Sequence, residues 1–118
     1  MVDAQSPPQV NQDLDSLHHT LLALNGWLSD KLGTITDAAL AQAVVTEMRE
    51  VVHRIDLVQG LLFTAASDRI AAEVKKVTDA SGGLDGALGT ATSVTEVVNT
   101  MTSFLTLVDT AIDLAKVV

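Results

Sequence analysis

The chain has 118 residues, enough for one domain with a hydrophobic core and too few for two independent ones. Hydrophobic residues make up 47% of it, which argues against disorder along most of its length, and the formal charge of -8 argues against binding to nucleic-acid phosphates or anionic lipid headgroups. With no cysteine there is no disulfide, thiolate nucleophile or cysteine metal site, a composition suited to a reducing compartment.

Met1 to Pro8 lacks the basic start and apolar stretch of a secretory signal, so a cytoplasmic location is the expectation. Pro7 and Pro8 remove two backbone donors, and residues 1–10 are expected as a flexible tail preceding a single helical-bundle domain over 11–118. From there Val10, Leu14, Leu17, Leu21, Leu24 and Leu28 recur at alternating spacings that place all six on one helical stripe. Leu32-Gly33 marks the end of this first helix.

Thr36 is the expected cap of a second helix, with Asp37 at its first position and Ile35 packing on Leu40. The short connection makes the first two helices antiparallel neighbours. The second apolar stripe runs through Leu40, Val44, Met48, Val51, Ile55, Val58, Leu62, Ile70, Val74 and Val77 without a turn cluster, predicting one helix from 37 to about 80. Its length would be about 65 Å. Gly60 is the one residue that argues for a kink, and Glu50 to Arg54, Arg69 to Glu73 and Lys75 to Asp79 are its expected surface ion pairs.

Residues 81–92 contain four glycines in a pattern without the Lys and Ser/Thr of a phosphate loop, and read as a flexible connection. Ser93 and Glu96 have capping-box spacing and open a third helix. Val94, Val98, Met101, Leu105, Val108, Ile112 and Ala115 form its stripe, widened by Phe104, Leu107, Ala111 and Leu114. The fold expectation is therefore all-α: an antiparallel helical bundle with a very long central helix. The alternative is an up-down four-helix monomer from roughly 11–32, 37–59, 61–79 and 93–117, bent near Gly60.

No residue set promises catalysis, a cofactor or a metal. Asp15 with His18, and Glu50 with His53, have the spacing of di-iron ligands but lie off the inward faces, and the side chains of His18 and His19 diverge. The segments Leu57 to Ser67 and Val97 to Val108 are charge-free and apolar, yet shorter than the roughly 20 residues that span a bilayer. The leading functional expectation is protein interaction or assembly, with a homodimer or another helical protein as partner. A long helix flanked by two shorter ones leaves apolar surface uncovered, and Trp27, Leu57, Leu61, Leu62, Phe63, Phe104, Leu107 and Leu114 are the candidate interface residues. A membrane-associated or pore-forming component and a bundle enzyme or apolar-ligand carrier are the alternatives.

Overall fold

The computed structural model describes residues 9–117 and is all-helical, with α1 at Gln12–Leu32, α2 at Ala38–Gln59, α3 at Asp68–Ser81, α4 at Leu84–Thr90 and α5 at Val94–Val117. Residues 1–8 of the expected tail lie outside the described residues. Four of the helices begin where a polar side chain satisfies free first-turn N–H groups. Asn11 accepts from the amides of Asp13 and Leu14 at the start of α1, Asp37 from Leu40 at α2, and Ser67 from Arg69 at α3. Ser93 and Glu96 form the expected pair at α5, with the Glu96 amide 3.1 Å from the Ser93 hydroxyl. The cap of α2 is thus Asp37 rather than Thr36.

The long central helix does not form. α2 ends at Gln59, and the chain turns through 60–67 before α3 begins. Gly60 stays right-handed, at φ -71° and ψ -10°, so the break needs no special glycine conformation. What holds it is a contact from the far end of the sequence. Asn11 donates its backbone N–H to the Leu62 carbonyl at 2.7 Å and its side-chain amide to the carbonyls of Thr64 and Ala65 at 3.1 and 3.3 Å. Backbone acceptors that a continuous helix would have used internally are met by a side chain 4% exposed. The fold is therefore the folded-back four-helix arrangement.

The 81–92 connection is also more ordered than its glycines predict. Leu84 and Leu88, one helical turn apart, are both buried in α4, and Ala91 is buried just beyond. Gly82 and Gly83 keep right-handed backbone angles, so α3 passes into α4 through a loosened turn. Both then lie along α5.

The helices pack in the cyclic order α1, α2, α5, α3–α4, which sets α1 diagonal to α5 and α2 diagonal to α3. The start of α2 shares a groove with the start of α5, and Arg54 near the end of α2 reaches Asp109 on α5, so these two neighbours run parallel. Arg69 at the start of α3 lies by Leu114 near the end of α5, so that pair is antiparallel.

Leu14, Leu17, Leu21 and Leu28 of α1 are completely buried, as their stripe requires, along with Val44, Val51 and Val58 of α2 and Ile70 and Val77 of α3. On α5 the buried face is Val97, Met101, Phe104, Leu105, Val108, Ala111, Ile112 and Ala115. Val94 and Val98, expected inside, are 40% and 37% exposed. No described helix is long and apolar enough to cross a membrane.

Candidate functional site

The displaced valines lie over the seam between α2 and α5. Val94 and Val98 face Ala39 and Ala43 across an apolar section of about 380 Å³. A polar section of about 350 Å³ continues toward the helix C-termini, with Glu50 and Arg54 on one side and Thr102, Thr106 and Asp109 on the other. Thr46 and Glu47 line both sections, so the two are one groove.

The α5 wall is uncharged from Val97 to Val108. On this wall Thr106 turns its hydroxyl along the helix and donates to the Thr102 carbonyl at 2.8 Å. A bond of this kind satisfies the Thr106 hydroxyl within its own helix.

At the polar end Arg54 makes four hydrogen bonds. Its Nε and Nη2 donate to the two oxygens of Asp109 at 2.7 and 3.0 Å, and its Nη1 donates to the Glu50 carbonyl oxygen and carboxylate. This fork clamps α2 to α5 and holds the guanidinium pKa above its ordinary value, chiefly through the hydrogen bond to Asp109. The expected Glu50–Arg54 pair is present, but Asp109 is the stronger partner. Of the other expected pairs, Lys75 meets Asp79 at 2.9 Å, whereas Glu73 pairs with Lys76 in place of Arg69.

Glu47 sits between the two sections and is only 7% exposed. Burial raises its carboxyl above the usual glutamate range, the nearby Glu50 raises it further, and Arg54 acts weakly in the opposite direction. Among the described residues no donor hydrogen-bonds to it. The residue is buried as a whole, and its oxygens, which keep some solvent access, have no ion-pair partner among the described residues.

The eight candidate interface residues do not gather on a single face. Phe104 is 3% exposed and belongs to the chain's own core, with an edge that lines a groove beside Leu107 between α4 and α5. Trp27 is half-buried between α1 and the α3–α4 junction, with the Lys31 ammonium 5.8 Å from its ring. Leu107 lies toward α4 and Leu114 toward α3. Leu57, Leu61 and Leu62 are half-buried against the core near the 60–67 turn, where Phe63 is 64% exposed. The α2–α5 groove residues were missed because Val94 and Val97 begin two overlapping stripes, and only the tertiary packing chooses between them.

The histidines stay apart from any acidic cluster. His19 lies 3.5 Å from Asp15, His18 has its Nε2 enclosed without a partner, and His53 is exposed. Among the described residues no three His, Cys, Asp or Glu side chains gather as metal ligands. Comparisons with protein-family models, curated proteins and solved structures find no match for this chain.

Proposed function

We propose that this chain is a helical protein-interaction module whose binding face is the groove between α2 and α5. The observation that carries the reading is the exposure of Val94 and Val98 beside Ala39 and Ala43, in a groove that continues past the buried Glu47. Two parallel helices, with alanines at the start of α2 and valines at the start of α5, make a trough that fits a third helix, read by its residues at i, i+4 and i+7.

Residue-resolved titration tests this. Isotope-labelled protein would be mixed with helical peptides that share one apolar face and differ in charge. Saturable chemical-shift changes at Ala39, Ala43, Val94 and Val98 with at least one peptide are expected. Absence of any response at millimolar peptide rejects the groove as a binding face.

A second reading, association of two copies, is favoured by Phe63, a large aromatic surface at one end of the bundle. The earlier geometric reason for a dimer has gone, since the four-helix cross-section closes within one chain. Sedimentation across a dilution series, with Phe63→Ser beside the parent, tests it: concentration-dependent mass lost in the variant supports end-to-end pairing, and a monomer throughout rejects it.

A further inference from the structure

We infer that the α2–α5 groove takes a basic amphipathic helix, whose apolar residues cover Val94 and Val98 and whose lysine or arginine reaches Glu47 and Glu50. This rests on the reading of the groove as a binding face and specifies what fills it.

Charge complementarity points to a cationic partner. The polar section contains the carboxylates of Glu47, Glu50 and Asp109 against one cation, Arg54. The four hydrogen bonds of Arg54 all go to Asp109 and Glu50 and none to Glu47. A largely buried carboxyl that lines a groove is stabilised by a cation arriving through that groove, because the incoming charge offsets part of the solvation lost on folding. The whole chain carries a charge of -8, which attracts a basic segment over longer range.

The spacing is set by α2. Ala43 lies in the apolar section, Glu47 one helical turn further, and Glu50 about a turn beyond that. At the helical rise Glu47 and Glu50 lie roughly 6 and 10 Å along the axis from Ala43. The matching segment has two apolar residues one turn apart, and basic residues one and two turns beyond them on the same face. An acidic or neutral helix of the same shape would fill the apolar section and leave Glu47 unmet.

The probe is an alanine-based helical peptide of that pattern, with leucines at i and i+4 and lysines at i+8 and i+11, made in both sequence directions. Controls carry glutamine or glutamate at the lysine positions. Binding would be read by fluorescence anisotropy at low and high salt, and by chemical shifts of the groove residues. The basic peptide is expected to bind at least tenfold more tightly than the neutral one at low salt, an advantage that shrinks as salt rises. Glu47→Gln with Glu50→Gln should reduce that advantage to near unity, whereas Asp30→Asn, an exposed change on α1, should leave most of it. Circular dichroism would verify that each variant keeps its helices.

Equal binding of basic and neutral peptides at the groove would overturn the charge assignment and leave the interaction face standing. A basic preference weakened equally by Asp30→Asn would overturn it too, as attraction to the general negative charge. No groove response to any peptide would overturn both readings.

Discussion

Asn11 and Leu62 are joined by a backbone hydrogen bond of 2.7 Å that fastens the start of α1 to the turn after α2. The Asn11 side chain completes the junction: its oxygen caps α1 while its amide serves Thr64 and Ala65. Asn11→Ala is expected to lower stability by roughly 2–3 kcal/mol, the loss of a cap plus carbonyls left without donors. Asn11→Asp keeps the acceptor and loses the donors, so it separates the two contributions. Urea denaturation measures both, and an Asp variant as stable as the parent would show that the amide donors contribute nothing.

Gly60→Ala should leave the helix break in place. Its backbone is right-handed, and an added Cβ meets the Leu57 carbonyl at an ordinary 3.5 Å. Carbon chemical shifts over 61–66 are expected to stay non-helical, because Asn11 still holds the turn. A continuous helical signature from 38 to 81 in this variant would show that Gly60 itself causes the break.

Gly26→Ala should raise stability by about 0.5–1 kcal/mol, since Gly26 lies inside α1 and a Cβ there meets nothing within 4 Å. Thermal or urea unfolding gives the value. A destabilised variant would contradict the open space at that position.

Glu47 makes stability depend on pH in a defined direction. Its folded pKa is raised above the unfolded value of about 4.3, so the native state binds the proton more tightly. The proton-linked stabilisation is present below the unfolded pKa and is lost as pH rises through the folded pKa. Glu47→Gln should therefore gain stability over the parent at neutral pH and lose that advantage on acidification. Urea midpoints at several pH values would show it, and a gain independent of pH would rule out carboxyl ionisation as its source.

The clamp between Arg54 and Asp109 should yield a coupling energy of about 1 kcal/mol in a double-mutant cycle built from Arg54→Ala and Asp109→Ala. Arg54 is shielded, with its side chain 13% exposed, while Asp109 is 47% exposed, which places the pair between surface and buried cases. Coupling indistinguishable from zero would mean that the seam is held by its apolar contacts alone.

Much of the fold was legible because it is written in local patterns. The leucine stripe of α1 and the Ser93–Glu96 cap each lie within consecutive turns and correspond to the observed helix. The break in the second helix was harder, because the Asn11 contacts cross more than fifty residues. A local clue did exist in Ser67-Asp68, a cap followed by a first-turn acid, but the apolar run before it concealed its role. In 81–92 the Leu84 and Leu88 spacing signalled a short helix that the glycines obscured. The groove was the least legible part: Arg54 already had a local partner in Glu50, and nothing nearby in the sequence identified Asp109.

The seam between α2 and α5 also has a temporal consequence. Arg54 and Asp109 lie 55 positions apart, whereas the α1–α2 hairpin is made of much nearer contacts. Joining distant segments carries a larger loop-closure entropy and slows their meeting. The walls of the groove are thus expected to assemble after the first hairpin, making a completed groove a mark of a finished chain. A molecule that fills it would select the fully folded population over partly built forms, and would slow proteolysis by lowering the population of opened states.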